Sequence, residues 1–135
     1  MLEELDHVAI AVANLRSAKS LYCGVLGFAH LGYETIEEQG VNVLAVGLGS
    51  LRVELLEPIN AESPVHRFIQ KRGEGMHHLC FKVADIRKTL KTLEKDGFQL
   101  IDKVPKRGAG GHMIAFVHPK SAHGVLIELV EKKHG

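Results

Sequence analysis

With 135 residues, 45% of them apolar, the chain can bury a core without disulfides or a structural metal, and it reads as a single domain over 1–135. A net charge of +1, with no aromatics interleaved among the basic residues, gives no electrostatic case for nucleic acid. No apolar run approaches membrane-spanning length, and the acidic start Leu2-Glu3-Glu4-Leu5-Asp6 lacks the apolar stretch of a signal peptide, so a cytoplasmic location is expected. Cys23 and Cys80 follow no spacing motif and are expected to be reduced, buried thiols.

In chain order, Leu5–Val12 reads as a strand of alternating β-branched and small residues. Asn14 then looks like an N-cap, with Leu15, Ala18, Tyr22 and Val25/Leu26 at helical spacing until Gly27 stops the helix. Strands follow at Phe28–Thr35, Val41–Leu48 and Leu51–Glu57. Ser63-Pro64, a cap followed by proline at the first helical position, opens a short helix to about Arg72, after which Gly73 and Gly75 form a hinge. The pattern then repeats. A strand at Met76–Val83 leads to Asp85 as N-cap, a stripe of Ile86, Leu90 and Leu93, and Gly97 as stop. Strands are expected near Phe98–Asp102, Met113–His118 and Val125–Glu131, with 103–111 a mobile basic loop. The fold class is α+β: tandem βαβββ repeats, about 5–57 and 76–131, joined by a short helical linker over 58–75.

The repetition carries chemistry. His7 recurs as His78, 71 positions on, and Glu54 recurs as Glu128, 74 positions on. Strand side chains alternate between faces, so each residue can be assigned one. Val8, Ile10 and Val12 share one face of the first strand, and His7 lies on the other with Ala9 and Ala11. Leu79, Phe81 and Val83 likewise oppose His78, Cys80 and Lys82. Val53 with Leu55, and Ile127 with Leu129, leave Glu54 and Glu128 on the far side. All four residues therefore occupy the face turned away from the helices, and duplicated units packed about a pseudo-twofold axis can bring both pairs to one point. Parity selects His78 over His77, which is expected to point towards the helices or a rim. Glu57 and Glu131 read as solvated outer-face residues. His30, His66 and His134 match no pattern, and His118 and His123, flanking the last-strand turn, read as turn residues, with a cavity rim as the alternative.

The duplication, with one histidine opening each copy and one glutamate closing it, resembles the vicinal oxygen chelate, or glyoxalase, superfamily. Within it the chain resembles the methylmalonyl-CoA epimerase family. The segments that carry this are Asp6-His7-Val8-Ala9-Ile10-Ala11-Val12, Glu38-Gln39-Gly40-Val41, Glu54-Leu55-Leu56-Glu57-Pro58 and Ser63-Pro64 with Phe68-Ile69. Gly73-Glu74-Gly75-Met76-His77-His78, His118-Pro119-Lys120 and His123-Gly124-Val125-Leu126-Ile127-Glu128-Leu129 complete the match. The resemblance implies a U-shaped cavity between paired sheets, with His7, Glu54, His78 and Glu128 as metal ligands. Some members of the family carry Gln at the Glu54 place and a further catalytic Glu at the Val43 place, and this chain departs from them at both.

Two imidazoles and two carboxylates suit a borderline divalent ion such as Co, Mn, Ni or Zn. The implied reaction is the interconversion of (R)- and (S)-methylmalonyl-CoA by metal-assisted proton removal and return at C2 through a chelated enediolate. Glu128 and Glu54 are the expected pair of bases, with a metal-bound water as the rival for the second. Lys106, Arg107 and Lys120 are candidate contacts for the phosphates of a CoA thioester, and a homodimer is expected. The alternatives are a glyoxalase I-type metal-dependent isomerase or lyase, which uses the same ligand set, and a drug-binding resistance protein of the same fold, which needs no metal.

Overall fold

The computed structural model of the chain describes residues 1–132. Its contacts divide into two compact units: His7–His77, and Met1–Asp6 together with the chain from His78 on. His134 lies outside the described residues. No helix among the described residues is long and apolar enough to cross a membrane.

The first unit takes in β1 (Leu2–Ala11) from His7 on, α1 (Leu15–Lys19), β2 (Ala29–Ile36), β3 (Val41–Leu48), β4 (Leu51–Pro58) and α2 (Pro64–Arg72). Its strand order is β2-β3-β4-β1, antiparallel except for the parallel β4/β1 pair. Asn14 caps α1, its side-chain oxygen accepting from Ser17 N at 2.8 Å. Ser63 caps α2 through Val65 N, with Pro64 at the first position as expected. Val12, Leu15, Leu44, Val46, Val53 and Leu55 form the buried core under α1, joined by Ile10, Ala18, Tyr22, Cys23 and Phe28. The apolar parity of the first and fourth strands therefore holds.

The helix differs from its expected form. After Lys19 the chain widens into a π-helical turn over Ser20–Val25, closed by Leu26 N donating to Leu21 O and Phe28 N to Tyr22 O. The wider turn lets both Tyr22 and Cys23 reach the core, while Val25 is 75% exposed instead of continuing the stripe. Gly27, with φ of 84°, ends the element in a conformation that suits only glycine well.

The second unit contains β5 (Gly75–Val83) from His78 on, α3 (Ile86–Lys95), β6 (Lys106–Arg107), β7 (Met113–Val117) and β8 (Ile127–Glu131). The order is β5-β8-β7-β6, with β5/β8 parallel and the other pairs antiparallel. Asp85 caps α3 through Lys88 N, and Gly97 ends it with φ of 90°. Val83, Ile86, Leu90, Ala115, Val117 and Leu129 are its core. Both cysteines are free, Cys80 buried and Cys23 half-buried.

Three expectations fail in this unit. Phe98–Asp102 is not a strand: a single bridge, Leu100 to Val117, remains. Asp102 breaks the ladder because its own carboxylate takes the Phe116 N–H, at 2.8 Å, while Ile101 N and Asp102 N both donate to Phe116 O. The segment expected as a loop instead supplies the missing strand, β6, followed by a 3₁₀ turn over Ala109–Gly111. Val125 likewise precedes β8 instead of opening it.

Candidate metal centre

In the first unit, the parallel register of β1 and β4 sets Ala9 opposite Glu54. His7 lies two residues before Ala9, on the same face, and its Nε2 is 3.4 Å from Glu54 Oε1. The other carboxylate oxygen, Oε2, accepts from Arg52 Nε at 3.3 Å. On the antiparallel side Ala45 faces Glu54, which leaves the carboxylate without a bulky neighbour on β3.

The second unit repeats this register. Cys80 stands opposite Glu128, His78 lies two residues before it, and Nε2 of His78 is 2.9 Å from Glu128 Oε1. Here the antiparallel neighbour is Phe116, whose ring meets the His78 imidazole edge-on at 5.3 Å between centroids. His7 is 5% exposed, and Glu54, His78 and Glu128 are 6% exposed each. Burial of an imidazole and a carboxylate is offset where the two meet each other, as His78 and Glu128 do at 2.9 Å.

Each pair has the spacing a divalent ion requires. Ligand atoms about 2.1 Å from one ion stand about 3.0 Å apart at a right angle and about 3.4 Å apart in a tetrahedron. The observed separations are 2.9 and 3.4 Å. Imidazole nitrogen with carboxylate oxygen is also the donor chemistry that borderline ions take. Val43 shares the Glu54 face of β3, two residues from Ala45, and is buried, so that place offers no further carboxylate.

The proposed thioester contacts are less uniform. Lys106, Arg107 and Lys120 are all exposed. Lys106 is held, with its Nζ 3.2 Å from Asp102 Oδ1 and 5.2 Å from the centre of the Phe116 ring. The Arg107 and Lys120 side chains have no hydrogen bond or ion pair among the described residues, while the Lys120 N–H donates to His118 Nδ1 at 3.0 Å. That bond makes His118 a cap of the turn over Pro119–Ala122, as expected of a turn residue, and His123 closes the turn with φ of 55°. His77 meets Phe68 of α2 edge-on at 4.8 Å, in line with its helix-facing parity.

Glu57 and Glu131 are not solvated outer-face residues. Glu57 Oε2 accepts from Leu15 N at 2.7 Å, and its Oε1 accepts from Asn42 Nδ2 at 3.0 Å. Glu131 Oε1 accepts from Ile86 N at 2.9 Å. Each glutamate thus takes the first free N–H of its own copy's helix, where a negative charge is also favoured by the helix dipole. The signal was present: they lie three residues beyond Glu54 and Glu128, which puts them on the opposite, helix-facing side of the strand.

Comparison with known proteins agrees with this architecture. The family described as the Glyoxalase/Bleomycin resistance protein/Dioxygenase superfamily matches residues 6–116. The mitochondrial methylmalonyl-CoA epimerase of Dictyostelium discoideum is 42% identical over 130 residues, covering 96% of this chain and 78% of that protein. The chain belongs to the methylmalonyl-CoA epimerase family. The crystal structure of the methylmalonyl-CoA epimerase from Mycobacterium tuberculosis superposes with a TM-score of 0.93 at 34% identity, covering 98% of this chain and 90% of that one. A methylmalonyl-CoA epimerase solved in complex with methylmalonyl-CoA and ammonium also gives 0.93, at 35% identity over 98% of this chain and 96% of that one. The glyoxalase-like fold expected from the duplication is therefore the fold of the chain, and epimerases of this superfamily are metal-dependent.

Proposed function

We propose that this protein is a metal-dependent isomerase that interconverts the (R)- and (S)-epimers of methylmalonyl-CoA by removing and returning the C2 proton. The observation that carries the reading is the identical His/Glu register in both copies, in a chain of this family. His7, Glu54, His78 and Glu128 are the proposed ligands of a single divalent ion, of the Co, Mn, Ni or Zn class. Bound there, the ion supplies Lewis-acid stabilisation of the negative charge that develops on the thioester oxygen as the proton leaves.

The chain's own residues do the rest. His7 and His78 would each hold the ion through Nε2, the ring nitrogen that lies beside the carboxylate oxygen of its own copy. Glu54 and Glu128 are the proposed pair of bases, and each would need a carboxylate oxygen free of the ion to take the proton, since a carboxylate bound to a cation is a weak base. Val43 supports that assignment, because an apolar, buried side chain takes the place on β3 beside Ala45, and the acid across from it on β2, Glu34, is exposed. Lys106, Arg107 and Lys120 offer three exposed cations for the phosphates of the CoA portion, with Lys106 already anchored to Asp102. The proposed setting is a cytoplasmic homodimer serving propionate metabolism.

Proton NMR in heavy water tests this. Methylmalonyl-CoA with the metal-loaded protein is expected to lose its C2 proton signal without net change of product, and methylglyoxal with glutathione is expected to remain unconverted. Exchange that survives exhaustive chelation, or turnover of the glutathione adduct in place of the thioester, overturns the reading.

A further inference from the structure

The two copies differ in charge next to the proposed ligand glutamates. Two residues before its glutamate, the first copy carries Arg52, and the second carries Leu126 at the corresponding place. Arg52 and Glu54 lie on the same face of β4, and the Arg52 Nε donates to Glu54 Oε2 at 3.3 Å. The carboxylate is thereby divided: Oε2 belongs to the guanidinium, while Oε1 faces His7 Nε2. The Arg52 side chain is 38% exposed, against 8% for the Glu54 side chain, so the cation sits on the solvent side of a buried anion. Its Nη nitrogens have no hydrogen bond among the described residues.

We propose that Arg52 is a specificity-determining residue, which cancels the charge of Glu54 so that the metal centre keeps a net positive charge for a carboxylate-bearing thioester. The inference rests on the proposed ligand set. A divalent ion facing two carboxylates is formally neutral and has no electrostatic preference for an acid over a neutral acyl group. Arginine stays protonated under all ordinary conditions, so Arg52 leaves one positive charge over. A malonyl-type thioester brings the matching negative charge, and an acetyl-type thioester does not.

This assignment predicts effects of opposite sign, which a merely structural ion pair does not produce. Removing the cation strengthens binding of the metal, because a positive neighbour repels it, and weakens binding of the anionic thioester. In isothermal titration, R52M is expected to bind Mn²⁺ about tenfold more tightly than the unsubstituted protein, with R52K close to it. In the Mn²⁺-loaded protein, R52M is expected to cut the preference for malonyl-CoA over acetyl-CoA by a similar factor.

Weaker Mn²⁺ binding by R52M overturns the proposal, because Arg52 then only holds Glu54 in place. An unchanged Mn²⁺ affinity, or an unchanged preference between the two thioesters, overturns it as well. The epimerase reading fails separately: if the unsubstituted protein catalyses no C2 exchange, that reading falls while the shift in metal affinity still reports the charge balance.

Discussion

The first and second copies agree closely in backbone and diverge around it. In both, an Asn or Asp caps the helix, a glutamate takes the first free helical N–H, a glycine with positive φ ends the element, and a histidine lies two residues before the partner of a buried glutamate. The neighbours of the two His/Glu pairs differ. Glu54 stands beside Ala45 and is gripped by Arg52, whereas Glu128 stands beside Phe116, which backs His78 and carries Lys106 over its ring. The shared register fixes where each histidine meets its glutamate. The unshared neighbours give the first pair a charged, open setting and the second an aromatic one.

The largest effect expected from breaking this comparison lies in the carboxylates. Glu128→Gln should lower the rate of epimerisation by about a thousandfold or more, the scale of losing a general base that is also a ligand. Glu54→Gln should block epimerisation too, yet leave solvent exchange into one of the two epimers; full activity in both directions discards the two-glutamate scheme. Phe116→Ala comes next, removing a packed aromatic from one side only. A loss of about 2 kcal/mol in denaturant unfolding is expected, together with weaker metal binding, because His78 then loses its edge-on ring contact. Unchanged metal affinity in that variant assigns Phe116 to packing alone.

Glu57→Gln and Glu131→Gln should sharpen the likeness instead of the difference. Each replaces a charged acceptor at a helix start with a neutral one, at a cost of about 1 kcal/mol, nearly equal in the two copies. Thermal unfolding measures this, and metal affinity is expected to stay unchanged in both. Lys106→Ala should have the smallest effect, a rise in KM of about threefold with kcat held, since the ammonium is exposed and already shared with Asp102.

Much of this was legible in the sequence because strand parity is a rigid rule. His7, Glu54, His78 and Glu128 could be placed on one class of face from their apolar neighbours alone, and the caps at Asn14, Ser63 and Asp85 followed from local chemistry. What escaped was decided by longer-range competition. Asp102 looks like a strand end until its carboxylate takes the Phe116 N–H. Val25 looks like part of a helical stripe until the π turn shifts the phase. Glu57 and Glu131 read as solvated because their partners, the N–H groups of Leu15 and Ile86, lie more than forty residues away in the chain.

Both copies are proposed to serve one ion, and metal counting tests that most directly. Purified protein, loaded and then desalted, is analysed for bound metal alongside H7A and H78A variants shown to be folded by circular dichroism. A single ion per chain, lost from either variant alone, is the predicted result. Two ions per chain, or a variant that loses half its metal and keeps the rest, would contradict it.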